Sequence, residues 1–335
     1  MLFYDNLEEI IFNRHKNIRS DELIVLSGYV GPQPVQRLKQ LSELNQIKVV
    51  YGMYGESGIG RHLHEVLISA NNDINNLDIM YSQIPVHSKC YIWKFRNNIQ
   101  NVLVGSANFS SNGLSNPYRE ILAETTSDTF DPLNAYLNKI LENSIPCNSE
   151  LVHIGTTPTE EENIIDTSID SQPTDLNTCN MSLLDEKGEV PRKSGLNWGL
   201  SNGHVAPGDA YIRISKKYIE RSPNLFPPKQ IEGVNIPRGA RAIRQNEVVE
   251  FIWDDGKVME GLLEQNQVVN GVIYPKAMCS SPRKNILGKY LRSRLGLQLD
   301  HLITKEDLDS YGRNYITLTK QGEGIYYLDF SVPDR

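Results

Sequence analysis

Between residues 23 and 143 short apolar runs alternate with stretches of helical spacing, and that alternation narrows the first half of the chain to one class of fold. Residues 23–30 read as a strand. Over residues 34–44, Val35, Leu38 and Leu41 recur at three-residue spacing, which reads as a helix. Residues 47–54 read as a second strand. A glycine-rich turn over 52–60 then leads into a helix over 61–70, with Leu63, Val66 and Leu67 on one face. Residues 77–81 read as a third strand. Runs over 87–95, 102–104 and 118–125 read as three more, before a helix over 132–143. Helices between strands return the chain in parallel. The expectation is an α/β sandwich around a mostly parallel or mixed sheet.

The polar residues that interrupt these apolar strands form an ordered set. The strand over 87–95 opens on His87-Ser88-Lys89. Alternate side chains of a strand share a face, so His87 and Lys89 point the same way, about 7 Å apart along the backbone. The run Val102-Leu103-Val104 ends in Gly105-Ser106-Ala107-Asn108, and the run over 118–125 carries Glu120. A neutral imidazole can attack phosphorus and form a covalent intermediate. An ammonium and an amide donor can hold the non-bridging oxygens as charge builds on them. A carboxylate can fix the tautomer of the histidine and stabilise its cationic form. A histidine and a lysine two apart would by themselves suit any half-solvated strand. The order of the whole set is what points to phosphodiester chemistry.

A length of 335 residues suggests two domains. The formal net charge of −7 is unevenly placed. Residues 1–147 hold 12 Lys and Arg against 15 Asp and Glu, and residues 179–335 hold 22 against 19. Residues 148–178 hold seven acids and no Lys or Arg, in a stretch rich in Thr, Ser, Asn and Pro that reads as a solvated linker. A pI near 5.6 is therefore no argument against binding nucleic acid. No run of about 20 apolar residues suggests a membrane span. Residues 1–16 carry acids and lack a small-residue cleavage site, so a cytoplasmic location is expected.

Cys90, Cys147, Cys179 and Cys279 are far apart and form no C-x-x-C pair, which fits reduced thiols rather than a zinc site. Cys90 is expected in the core. No metal and no cofactor are expected. Gly52, Gly55, Gly58 and Gly60 match neither a dinucleotide fingerprint nor a P-loop, and read as a flexible loop near the site. His62 and His64, two residues apart, do not stack on a helix face and suggest a surface or first-turn role.

From about residue 181 the texture changes. β-like runs over 209–215, 248–253, 258–263, 272–277, 315–318 and 324–330 are separated by turns, with helical spacing only over 287–295 and 305–311. This is the pattern of a small or open β-barrel. Two polar stretches stand out. One is Arg192-Lys193-Ser194-Gly195-Leu196-Asn197-Trp198-Gly199 with Asn202 and His204. The other is Pro282-Arg283-Lys284-Asn285 continuing through Lys289, Arg292 and Arg294, which places five bases and no acid between residues 282 and 294. Arginine and lysine suit phosphates and guanine edges, and asparagine suits adenine edges. Trp198 and His204 suit packing on sugar or base, and a buried anchor equally well.

The set His87, Lys89, Gly105, Ser106, Asn108 and Glu120 resembles the H-K-D signature of the phospholipase D superfamily. In that pattern an aspartate stands five residues after the lysine, where this chain has Lys94. Together with the run over 195–214 behind such a nuclease half, the chain resembles the NgoFVII family of type II restriction endonucleases. The resemblance implies an α/β phospholipase D-like nuclease domain over 1–147, an acidic linker over 148–178, and a mainly β, B3-like pseudobarrel DNA-binding domain over 179–335. It implies sequence-specific cleavage of double-stranded DNA without a metal ion, through a phosphohistidine intermediate. It implies a homodimer through the nuclease domain, because the superfamily site uses two H-x-K motifs. His87 would attack, Lys89 and Asn108 would hold the phosphate, Glu120 would orient His87, and Gly105 and Ser106 would support them. The DNA-gripping arms map onto residues 192–204 and 276–294. Arg192, Lys193, Asn197, Trp198, Asn202, His204, Lys276, Ser281, Arg283, Lys284 and Asn285 are the candidate contacts. The alternatives are a non-specific phosphodiesterase of the same type, and a DNA-binding nuclease subunit that needs a helicase-like ATPase partner.

Overall fold

The computed structural model describes residues 1–116, 118–155, 177–229 and 246–332. The chain divides into two compact units, Met1–Thr157 with Gln321–Gly324, and Pro158–Lys320 with Ile325–Arg335. Most of the acidic linker expected over 148–178 falls on residues 156–176, outside the described residues. No helix among the described residues is long and apolar enough to cross a membrane.

The first unit runs β1 (Leu2–Phe3), α1 (Leu7–Asn13), β2 (Glu22–Ser27), α2 (Pro32–Arg37), β3 (Gln46–Tyr51), α3 (Tyr54–Ser57), α4 (Arg61–Asp73) and β4 (Leu77–Ser82). It continues with β5 (Lys89–Phe95), β6 (Asn98–Gly105), α5 (Ser111–Ser115), β7 (Leu122–Glu124), α6 (Phe130–Glu142) and β8 (Ser144–Pro146). These strands make one eight-stranded sheet in the order β1-β7-β6-β5-β2-β3-β4-β8. β2, β3 and β4 are parallel, because α2 and α4 carry the chain back between them. β5 is antiparallel to β2 and to β6, so the sheet is mixed. All six residues of β2 are buried, and its apolar run Leu23-Ile24-Val25-Leu26 suits a strand covered on both faces. On one face Ile24, Leu26, Cys90, Ile92 and Val102 pack with Leu137 and Ile140 of α6. Cys90 is core, as its place beside Lys89 implied, and burial pushes its thiol up to about 11. On the other face Tyr91 packs edge-on to Phe109, with ring centroids 6.2 Å apart.

The β5–β6 hairpin turns on Arg96 and Asn97, both at positive φ (49° and 66°), a type I′ geometry that matches strand twist. Two strand expectations need correction. β5 begins at Lys89, so His87 lies in the extended segment before it. The run over 118–125 contributes only Leu122–Glu124, because Tyr118 sits at φ 62° in a turn and Glu120 precedes the strand.

The glycine-rich turn is not a loose loop. It holds α3, and the Gly52 N–H donates to Ser27 O at 2.7 Å while Gly52 O accepts from the Val86 N–H at 2.9 Å. A Cβ on Gly52 would come 2.2 Å from Val86 O, so only glycine lets this backbone press against the segment leading into His87. His64 lies in the first turn of α4 and meets the Tyr81 hydroxyl at 2.9 Å; burial lowers its pKa.

The second unit contains β9 (Thr178–Ser182), β10 (Ile212–Arg213), α7 (Lys216–Arg221), β11 (Glu247–Trp253), β12 (Val258–Glu264), β13 (Gln267–Val269) and β14 (Val272–Tyr274). It ends with β15 (Ala277–Ser280), α8 (Asn285–Arg294), α9 (Lys305–Tyr311), β16 (Tyr315–Gly322) and β17 (Ile325–Asp329). Seven strands form a sheet in the order β10-β15-β12-β11-β17-β16-β9, and β13 with β14 makes a separate hairpin. Val249, Phe251, Trp253, Met278, Tyr326, Leu328 and Phe330 lie in one buried cluster. The strand expected over 209–215 shrinks to two residues, and the run over 272–277 divides between β14 and β15. α9 starts on a capping box in which the Thr304 side chain accepts from the Asp307 N–H and Asp307 returns the bond.

Candidate active site

The site lies where β2 ends and β5 begins. Lys89 is buried, yet its Nζ stands 2.9 Å from His87 Nδ1 and also donates to the His87 carbonyl. Burial, the largest influence, pulls the ammonium below the usual lysine range, and the Glu323 and Glu120 carboxylates act the other way. His87 itself is exposed. The residue between them points across the sheet: Ser88 Oγ meets the Tyr136 hydroxyl of α6 at 2.8 Å. The alternation expected of H-x-K therefore holds, although His87 precedes the strand.

The turn after β6 is clipped onto the end of β2. The Tyr91 hydroxyl, fully buried, donates to Ala107 O at 2.8 Å. The Phe109 N–H donates to Ser27 Oγ at 2.9 Å, and Ser27 Oγ donates to Tyr29 O at 2.6 Å. Asn108 Oδ1 accepts from the Tyr29 N–H at 3.1 Å. With its oxygen held by that donor, the amide keeps Nδ2 for an acceptor in the site. Gly105 has no room for a side chain, since a Cβ would come 2.0 Å from Ile121 O. The Ser106 N–H donates to Ile121 O at 3.0 Å and Ser106 Oγ accepts from the Ile121 N–H at 3.2 Å. Gly105 and Ser106 thus support the fold of the site and carry the segment with Glu120.

Glu120 is not placed as expected. Among the described residues no hydrogen bond joins it to His87, and its carboxylate lies 3.9 Å from Arg119 Nε. The physical reason is the positive-φ turn at Tyr118, which sets Glu120 ahead of β7 beside Arg119. Lys94 stands apart from these residues. Its Nζ donates to Asn134 Oδ1 on α6 at 3.0 Å, on the face shared with Cys90 and Ile92, so it ties β5 to α6.

Sequence reasoning missed Ser27, Gly28 and Tyr29. A Cβ on Gly28 would lie 3.1 Å from His87 Cδ2, 3.2 Å from Lys89 Nζ and 3.4 Å from Asn108 Oδ1. Three site residues therefore converge on one glycine. The only sequence signal was a Gly directly after a buried apolar strand, a place where backbone often approaches a ligand. Gly28→Ala should displace these groups by a few tenths of an ångström. Catalysis is steep in such distances, so any reaction run by these three groups should slow about tenfold in single turnover with the fold unchanged. A variant at full rate would show that the three groups have slack.

In the second unit, Arg192, Lys193, Asn202, His204, Lys276 and Arg283 are exposed. Lys193 Nζ reaches Asn202 Oδ1 at 3.4 Å. Trp198 packs edge-on against Tyr211, with centroids 5.8 Å apart, and Lys284 Nζ lies 5.0 Å from its ring. The two polar stretches therefore meet at Trp198 and Lys284. Lys284 also pairs with the buried Glu264, and Ser281 and Asn285 are partly exposed beside it.

Asn197 is a correction. It is 0% exposed; its Nδ2 donates to Pro191 O and Ile303 O, and its Oδ1 accepts from the Ile303 N–H at 2.9 Å. An amide with all its bonds made inside the core has none to offer a base. Arg292 is likewise buried, bonded to Leu196 O, His301 O and Asn197 Oδ1, and Arg294 makes a two-pronged pair with Asp254 at 3.0 and 2.7 Å. These two bases belong to the fold. Among the described residues no group of three or more His, Cys, Asp or Glu side chains could hold a metal ion.

Phosphodiester chemistry at the end of such a mixed sheet is what a PLD-type nuclease domain provides, and the strand-rich second unit is a B3-like DNA-binding domain. The chain belongs to the NgoFVII restriction-endonuclease family. Residues 5–153 match the NgoFVII restriction endonuclease N-terminal PLD domain, and residues 172–322 match the NgoFVII C-terminal B3-like DNA-binding domain. Among solved structures the chain is similar to NucT from Helicobacter pylori, at 16% identity over 44% of this chain and 97% of that one, with a TM-score of 0.34. It is also similar to Nuc from Salmonella typhimurium, a phospholipase D family member, at 13% identity over 41% of this chain and 88% of that one, with a TM-score of 0.30. No curated protein matches the chain.

Proposed function

We propose that this restriction-endonuclease-family protein cleaves double-stranded DNA at a specific sequence, without a metal ion, through a phosphohistidine formed in a site that two copies of the chain share. The observation that carries the reading is the convergence of His87, Lys89 and Asn108 on Gly28, in a chain that also holds a B3-like DNA-binding domain. A His87 ring nitrogen attacks phosphorus, the P–N bond forms, and the bond to the leaving sugar oxygen breaks. Lys89 and the Asn108 amide donate to the non-bridging oxygens as charge grows on them. The leaving oxygen needs a proton, and one chain carries a single H-x-K. His87 of the second copy supplies that proton, then takes one from water as water attacks phosphorus and the P–N bond breaks. Glu120 acts on Lys89 through its charge. The exposed Arg192, Lys193, Asn202, His204, Lys276 and Arg283, with Trp198, Ser281, Lys284 and Asn285 between them, form the DNA-binding face, and Trp198 and Lys284 join its two arms.

The test is incubation of the purified protein with several plasmid and phage DNAs, in EDTA and in magnesium. Discrete fragments in EDTA are expected. A smear in EDTA would remove the sequence specificity, and cutting only in magnesium would remove the mechanism. Cutting that appears only with an added helicase-like ATPase would make the chain a subunit of a larger enzyme.

A further inference from the structure

We infer that Tyr29 is a positioning residue of the site, holding the His87 imidazole in its attacking orientation through a near-perpendicular contact between the two rings. The inference rests on the reading of His87 as the nucleophile. The two rings meet edge-on, with centroids 5.9 Å apart and planes at 81°. This is the favoured contact between an aromatic edge and face, and it opposes rotation of either ring. Tyr29 is itself backed. Its ring meets Tyr51 with centroids 6.3 Å apart, and Tyr51 meets Tyr81 at 6.1 Å. Tyr51 and Tyr81 are buried, whereas Tyr29 is partly exposed at the site. A row of rings therefore runs along the ends of the parallel strands and stops at His87.

The backbone of the same residue orients a second site group, because the Tyr29 N–H holds Asn108 Oδ1. Its carbonyl takes the Ser27 hydroxyl. The residue is thus fixed at both ends of its peptide and along its ring. Lys89 Nζ reaches the imidazole at Nδ1, and among the described residues no carboxylate hydrogen-bonds to it; Tyr29 packed on the ring adds a second constraint on its orientation. The observed contact is between the two rings.

The experiment compares full-length Tyr29→Phe, Tyr29→Leu and Tyr29→Met with the native protein in single-turnover DNA cleavage in EDTA, across pH, beside measured DNA affinity. The proton resonance of His87 Cδ2 is followed in each folded variant. Tyr29→Phe should cleave within about twofold of native. Tyr29→Leu should be slower by about 10- to 100-fold at every pH, since small misplacements of a nucleophile cost rate steeply. Its DNA affinity should stay within about twofold, and the His87 resonance should lose the shift caused by the neighbouring ring. Tyr29→Met fills the space without a ring and carries the same expectation if the leucine variant does not fold. Tyr29→Leu at native rate, while His87→Ala is inactive, would overturn the inference and leave the nucleophile in place. Tyr29→Phe as slow as Tyr29→Leu would also overturn it, by assigning the effect to the hydroxyl. Cleavage by His87→Ala would remove the reading on which it stands, and the inference with it.

Discussion

Replacing His87 by alanine is expected to abolish cleavage while leaving specific DNA binding intact. The imidazole is exposed, so its loss removes no core packing. It would supply both the nucleophile on one copy and the acid on the other, and groups that act as a unit lose nearly everything when one is removed. The expected fall is at least about 10⁴-fold. Binding should be retained, because the DNA-binding candidates belong to the second unit. The measurement is cleavage and gel-shift affinity on the same DNA. A mutant that still cuts would exclude His87 as nucleophile.

The second large effect is on stability. Asn197→Leu should destabilise the B3-like domain by about 3–5 kcal/mol, which corresponds to a fall in melting temperature on the order of 10 °C. Leucine is of similar size, so the cost is electrostatic. The Ile303 N–H and the carbonyls of Pro191 and Ile303 would lose their partner in the core, and the buried Arg292 guanidinium would lose an acceptor. Thermal unfolding of the full chain measures the shift. A variant that melts like the native protein but no longer recognises its DNA would return Asn197 to the list of base contacts.

The elements of both units follow closely from pattern, because periodicity is a local property. The strand over 23–30 is β2 with its end displaced, and the helix over 305–311 is α9. The displacement has a cause outside the local pattern: after Ser27 the chain leaves the ladder so that Ser27 and Tyr29 can bond the turn after β6. The shortening of the run over 118–125 has a similar cause in the turn at Tyr118. In the second unit a row of bases looked uniform in sequence, but α8 has faces. Arg292 falls one turn after Gly288 on the buried stripe, whereas Lys289 is exposed. Charge alone cannot distinguish them.

His87, Lys89 and Asn108 were legible as candidates because their chemistry and order single them out without any knowledge of distance. Their reactive types are written in the side chains. What surrounds them was not legible. Ser27 lies 81 positions from Asn108, and Tyr29 lies 58 from His87. Whether Glu120 or Tyr29 meets the imidazole depends on how β2, β5 and the turn after β6 close on one another. The chain's own order thus determined the two-part fold and pointed to the candidate reacting groups. Long-range pairing decided which neighbours orient them and which polar residues are left for DNA, because a side chain's direction is set by the strand or helix turn that the rest of the molecule holds in place.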